Sequence, residues 1–262
     1  MQIDQSVVLV TGGASGLGEA CCRRMLSLGA RGVVAFDLDS QRGEALQQAL
    51  GERFAWLKVD VSKLDEVEAG VAQVCERFGS VHVVVNSAAI AAAARLVGRI
   101  GPLPMDVFDR GIKVNLYGTI HVMRAATLAM MKNPPNPGGE RGVFINVASG
   151  AAFEGQVGQV AYSASKAAVV GMTLPLAREL AQAGIRVMTI APGAFETPMY
   201  SQVPATVIDG LLSQSLFPKR MGEPAEFALL VEEIVRNPMH NGRTIRLDGG
   251  ITLDPSPRGK IA

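Results

Sequence analysis

The stretch VVLVTGGASGLG, residues 7–18, decides the fold of this chain. Val7 to Thr11 read as a buried strand, a glycine-rich turn follows, and a helix containing Glu19 to Leu28 comes next. Gly12, Gly16 and Gly18 stand in the spacing GxxxGxG. Missing side chains let the backbone pass close to a pyrophosphate, whose charge is then held by the helix N-terminus and its unpaired N–H groups. The turn, with Ser15 and Leu17 among its glycines, therefore reads as a phosphate cradle. Glycine alone does not decide this, because any strand-to-helix turn can use it.

The next apolar run, GVVAFD (32–37), ends in Asp37, about 20 residues beyond the last glycine, where a carboxylate can accept hydrogen bonds from an adenosine ribose. A 2′-phosphate at that place would be repelled. Ala14, Ser15 and Leu38 supply no cation and Asp39 adds a negative charge, so the expected cofactor is NAD and not NADP. Arg42 reads as solvated helix surface. After the third strand, Asp60 and Val61 stand where an adenine edge can be read, although Asp60 equally fits a turn before a helix starting near Ser62.

Similar short runs recur between helical segments: RFAWLKVD (53–60), VHVVVN (81–86), GVFINVAS (142–149), IRVMTIAP (185–192) and RTIRLD (243–248). Continuous apolar runs, in place of alternation with polar residues, mark strands covered on both faces. The expected fold is α/β: a Rossmann-type, doubly wound parallel sheet of about seven strands with helices on both faces, forming a single domain over residues 1–262. The loop NPPNPGGERG (133–142) is followed at once by a core-type strand, so it reads as a surface connection. The tail DPSPRGKIA (254–262) lacks periodicity and reads as disordered, or folded across a neighbouring subunit.

Charges nearly cancel, at a formal +1, which gives no field for attracting nucleic acid or an anionic membrane. Cys21, Cys22 and Cys75 are odd in number and form no metal pattern, and His82, His121 and His240 are isolated along the chain, so no metal is expected. The N-terminus enters a strand without the features of a signal peptide, and no apolar run approaches the roughly 20 residues of a membrane span. These features predict a soluble, cytoplasmic protein with no membrane or nucleic-acid partner.

The helix AYSASKAAVVG (161–171) sets Tyr162 and Lys166 four residues apart on one face. Neither is much of a catalyst at its ordinary pKa, near ~10 and ~10.4, but a nearby ammonium favours phenolate over phenol. With the glycine turn, these residues resemble the short-chain dehydrogenase/reductase family over essentially the whole chain. The motifs are Thr11 to Gly18, the turn Asn86 to Ala89, Asn115, Ser149, and Tyr162 to Lys166. The resemblance implies that Tyr162 is the general base, Ser149 holds the substrate oxygen, Lys166 also holds the nicotinamide ribose, and Asn115 helps hold a proton-relay water. It further implies nicotinamide contacts from Ser87 and from Pro192, Phe195 and Thr197 in the turn PGAFETP. Ser87 and Ala89 replace the Asn and Gly of many members, and Ala89 requires a backbone that tolerates Cβ.

Within the family, ASGAAFEGQVGQVAYSASK (148–166), GMTLPLAREL (171–180) and NGRTIRLDGG (241–250) resemble the branch that oxidises 3-hydroxyacyl-CoA thioesters. That implies an acyl-CoA substrate touching Ser149, Gln156 and Tyr162, a lid over about 194–222, and a homotetramer. Hydroxysteroids or other apolar secondary alcohols are the alternative substrates. A non-catalytic NAD sensor would be expected to lose Tyr162 or Lys166, and this chain retains both.

Overall fold

The computed structural model describes residues 1–201 and 203–255. Its seven strands are β1 (Val7–Thr11), β2 (Gly32–Asp37), β3 (Phe54–Lys58), β4 (Val83–Asn86), β5 (Gly142–Val147), β6 (Ile185–Pro192) and β7 (Thr244–Leu247). They form one sheet in the order β3-β2-β1-β4-β5-β6-β7, and every pairing is parallel. Between them run α1 (Gly16–Ser27), α2 (Ser40–Leu50), α3 (Leu64–Phe78), α4 (Met105–Ile112), α5 (Gly118–Met130), α6 (Val160–Leu180), α7 (Ala205–Leu212) and α8 (Pro224–Arg236). This is the doubly wound α/β arrangement that the apolar runs predict.

The pleat explains why β1 is apolar at every position. Val8 and Val10 enter one core with Met25, Ile190 and Phe227, while Val7 and Leu9 enter the other with Val122, Phe144 and Val187. The chain winds outward in opposite directions from β1 and β4, so a crevice opens at the carboxyl ends of these two strands. Thr11, Asn86 and Asn146 lie side by side at that edge.

The longest helix corrects one sequence expectation. Val160–Ala183 is long and apolar enough to cross a membrane by length and composition, because its few polar members are spread among small apolar residues. Here it packs on β6 and α4, with Ser165, Lys166 and Thr173 buried. Pro175 lies inside it without ending it. The loop at 133–142 is a surface connection, tied by Asn136, whose Oδ1 accepts from the N–H groups of Gly138 and Glu140, both at 2.9 Å.

Candidate active site

The glycine turn fits a phosphate group closely approached by backbone. Gly12 and Gly16 have φ values of +64° and +54°, which disfavour any side chain. A Cβ on Gly18 would lie 2.1 Å from the Gly12 carbonyl oxygen, and one on Gly12 would lie 3.0 Å from the Ala88 backbone. Gly13, which the spacing rule passes over, is equally confined: its Cβ would meet that of Ala35 at 2.6 Å. Ser15 precedes α1 in extended conformation and makes no side-chain cap, so the N–H groups of the first helical turn, at Gly16, Leu17 and Gly18, are not spent on it. Helix dipole and free donors together suit a pyrophosphate.

Asp37 has a second task beyond the ribose reading. Its Oδ2 accepts from the Ala14 N–H and its Oδ1 from the Asp39 N–H, both at 3.0 Å, so the carboxylate also holds the glycine turn. Arg42 pairs with Asp39 at 3.5 Å and remains surface. Asp60 forms the turn that its alternative reading describes, with Oδ1 accepting from Ser62 N–H and Oγ at 2.9 and 2.7 Å. Val61 is buried; a Cβ on Gly118 would meet its Cγ2 at 2.6 Å, so its side chain faces α5 and only its backbone remains for an adenine. Ser87 is half-buried in the turn after β4, where the neighbouring Ala88 N–H donates to Thr11 Oγ1 at 3.0 Å. No residue other than glycine has a positive φ among the described residues, so Ala89 carries no backbone strain.

Ser149 follows β5 and caps a short helical turn, its Oγ accepting from Ala151 N–H at 3.2 Å. It also hydrogen-bonds the Tyr162 hydroxyl. Lys166, one turn along α6, is buried and donates from Nζ to the Val147 carbonyl at 2.7 Å. Nζ lies 5.9 Å from the Tyr162 ring centroid. Burial draws the Lys166 ammonium down to about 8, and burial pushes the Tyr162 phenol above its ordinary value, opposed in part by the Ser149 bond. The Lys166 ammonium is turned to the Val147 carbonyl and acts on the phenol through space, with no hydrogen bond to it.

Asn115 sits in a π-helical turn, Lys113–Tyr117, between α4 and α5. Its Oδ1 accepts from Ile90 N–H at 2.8 Å, and its Nδ2 donates to the Ile90 carbonyl and to Ser165 Oγ, both at 3.1 Å. Ser165 in turn donates to the Tyr162 carbonyl at 2.7 Å. The side-chain amide is thus committed to tying the segment after β4 to the catalytic helix.

Pro192 is buried at the end of β6. Phe195 turns its ring into the core, where it meets Phe227 edge-on at 6.2 Å, and this leaves its backbone to face a nicotinamide. Thr197 lies against Gly16, with Cγ2 3.1 Å from where a Cβ on that glycine would stand. Gln156 donates from Nε2 to the Asp254 carbonyl at 2.9 Å. The segment Leu253–Pro255 makes three further bonds within the chain: Val157 N–H to Pro255 O at 3.0 Å, Leu253 N–H to Glu154 Oε2 at 3.0 Å, and Asp254 N–H to Gln214 Oε1 at 2.7 Å. The start of the tail is therefore a strap joining the Gln156 turn to the segment after α7, and not a disordered end; residues 256–262 lie outside the described residues. A cavity of about 530 Å³ lies between that turn and the 94–97 loop.

Tyr200 was missed by sequence reasoning. It stands in the short helical turn Pro198–Tyr200, where burial and the nearby Tyr162 raise its phenol to about 12. No local motif marks it, because its proximity to Tyr162 arises only from folding. Among the described residues, no group of three or more His, Cys, Asp or Glu side chains could hold a metal ion.

The arrangement joins a phosphate cradle to a Ser–Tyr–Lys set at the carboxyl edge of the sheet. A family model described as short chain dehydrogenase matches residues 6–207. The chain belongs to the short-chain dehydrogenase family. It is thereby an oxidoreductase that works with a nicotinamide dinucleotide. The 3-hydroxyacyl-CoA dehydrogenase type-2 of Bos taurus is 49% identical over 251 residues, covering 95% of this chain and 96% of the relative. Ipsdienol dehydrogenase of Ips pini is 35% identical over 254 residues, covering 96% and 98%. The crystal structure of 3-hydroxyacyl-CoA dehydrogenase type-2 from Mycobacterium avium matches with a TM-score of 0.90 at 38% identity, over 97% of this chain and 99% of that one.

Proposed function

We propose that this short-chain dehydrogenase oxidises (S)-3-hydroxyacyl-CoA thioesters to 3-ketoacyl-CoA with NAD. The observation that carries the reading is the 49% identity, over nearly the whole of both chains, to an enzyme named for that substrate class. The preference for NAD rests on Asp37, whose carboxylate holds the glycine turn, with Asp39 two residues further on adding a second acid that pairs with Arg42.

When bound, the nicotinamide dinucleotide supplies the acceptor for a hydride from the carbinol carbon. Tyr162 takes the hydroxyl proton of the substrate, and Ser149, already bonded to that phenol, holds the substrate oxygen in place. Lys166, with a pKa of about 8, can carry or release a proton near neutral pH and stands one helical turn away to exchange it. We also assign Lys166 to the nicotinamide ribose. The bond from Asn115 to Ser165 keeps the catalytic helix at its height above the sheet.

Residues 194–222 serve as the substrate lid. α7 has no buried residue, and Leu216 and Phe217 are exposed, which suits a flap closing over an apolar acyl chain. We read residues 1–262 as one domain and the assembly as a homotetramer, because α6 presents Val160 and Leu174 outward. The free thiols Cys21, Cys22 and Cys75 agree with a reducing compartment such as the cytoplasm.

The likeness to ipsdienol dehydrogenase supports a second reading, oxidation of other apolar secondary alcohols. A panel of 3-hydroxyacyl-CoA chain lengths, their free acids and a 17β-hydroxysteroid, compared by kcat/KM with NAD, separates the two. A steroid or free acid matching the best thioester would move the assignment to the second.

A further inference from the structure

The carboxyl edge of the sheet carries the dehydrogenase site, yet the larger of the two cavities described lies at the opposite, amino edge. It has a volume of about 740 Å³, within the range of small-molecule sites. Its place follows from the topology: Arg31 immediately precedes β2, Ser80 and His82 precede β4, and Asn133 lies in the connection before β5. The walls come from α3 and α5, with Val71, Cys75, Phe78, Ala125 and Leu128 giving an apolar body.

Its polar groups, the buried Asn133, the half-buried His82 and the exposed Arg31, are held in fixed orientation. His82 Nδ1 accepts from Val7 N–H at 3.1 Å and meets Ser80 Oγ at 3.2 Å, so the ring proton belongs on Nε2, which makes no hydrogen bond among the described residues. Burial and the Arg31 charge hold this imidazole down to about 4, so it stays a neutral N–H donor at neutral pH. Asn133 is 5% exposed; its Nδ2 donates to the carbonyls of Val81 at 2.7 Å and Arg141 at 3.0 Å, which fixes its Oδ1 as a spare acceptor. Arg31 is positioned through Nη2, which donates to Phe78 O at 3.1 Å and Ser80 Oγ at 2.6 Å, leaving Nε and Nη1 uncommitted among the described residues. Lys132 adds a solvated cation at the rim, and the acid there, Glu68, is paired with Arg124 at 3.0 Å.

We propose that this cavity is a second binding site, for a small amphipathic carboxylate: an apolar body against α3 and α5, its carboxylate toward Arg31, Lys132 and His82 Nε2–H. A hydroxyl on the ligand would find Asn133 Oδ1. The site shares no residue with the dehydrogenase centre, and it does not depend on the assignment of a 3-hydroxyacyl-CoA substrate.

The test is isothermal titration of the full chain with 3-hydroxy-2-naphthoate, in the presence of saturating NAD and acetoacetyl-CoA. The expected result is one equivalent bound per chain, about tenfold weaker in Lys132→Glu, where one charge contact is reversed. Binding should be lost in Ala129→Trp, which fills the cavity. The neutral 2-naphthol should bind at least about tenfold more weakly than the carboxylate. Displacement by the cofactor and thioester, equal affinity in Lys132→Glu, equal affinity for 2-naphthol, or no heat at about 1 mM ligand would each overturn the proposal. Lys132→Glu decides the matter if Ala129→Trp does not fold, because Lys132 is an exposed side chain making no protein bond among the described residues.

Discussion

Lys166 should cost the protein stability that its chemistry requires, and Lys166→Met exposes that cost. The ammonium is 2% exposed, and its one hydrogen bond is to the Val147 carbonyl. Burial lowers its pKa from 10.5 to about 8. That gap corresponds to roughly 3 kcal/mol of unfavourable free energy for keeping the side chain charged in the fold. The direction in pH follows from proton counting. Between about 8 and 10.5 the unfolded chain binds more protons than the folded one at this site, so the folded state gains stability as pH rises through that window. Below about 8 the penalty is present in full. Methionine removes it at similar volume but leaves the Val147 carbonyl unpaired, which returns about 1–2 kcal/mol. The net expectation near neutral pH is a variant more stable by about 1–2 kcal/mol, or roughly 3–6 °C in Tm for a chain of this size. Calorimetric unfolding of both proteins, cofactor-free and at equal protomer concentration, measures the difference. The advantage should shrink steadily toward about pH 10, while dehydrogenase activity is lost at every pH. A variant less stable near neutrality, or a difference that does not change with pH, would refute the reasoning.

Four further outcomes are expected. Asp37→Ala should reduce the NAD to NADP ratio of kcat/KM by at least about tenfold, since a carboxylate about 4 Å from a 2′-phosphate opposes it by ~1–4 kcal/mol; it should also weaken NAD itself, because Ala14 and Asp39 lose their acceptor. Gly18→Ala should raise the Kd for NADH by at least about tenfold in titration, because its Cβ collides with Gly12 O and the cradle must open. Gln214→Ala should loosen the strap from the lid segment and raise KM for the thioester several-fold with kcat little changed, which steady-state kinetics reads directly. Light scattering at micromolar protein should return a mass of four chains, and a monomer would contradict the assembly.

The seven strands were legible because each is a run of apolar residues bounded by turn chemistry, and burial on both sheet faces leaves little else that such a run can be. The cradle was legible for a related reason: Gly12, Gly16 and Gly18 act within one turn, so their spacing carries their geometry. What escaped depends on contacts between distant segments. Phe195 follows a motif but turns its ring toward Phe227 on α8. Gln156 lies seven residues after Ser149, yet its amide is drawn to Asp254, a partner no local pattern predicts. Asn115 was placed in the site, but its connection to both Ile90 and Ser165 depends on a π-helical turn that has no sequence signature. Tyr200 acquires its place beside Tyr162 only when the segment after β6 folds over the crevice.

The central claim is that Tyr162 abstracts a proton from a 3-hydroxyacyl-CoA while NAD takes the hydride. Its most direct test is NADH formation from (S)-3-hydroxybutyryl-CoA, reported as kcat/KM beside the value for the free acid, in the wild-type protein and in Tyr162→Phe. The account predicts efficient oxidation of the thioester, at least about a hundredfold less with the free acid, and loss of turnover in Tyr162→Phe with NADH affinity nearly intact. Equal rates on thioester and free acid, or substantial turnover without the phenol, would contradict it.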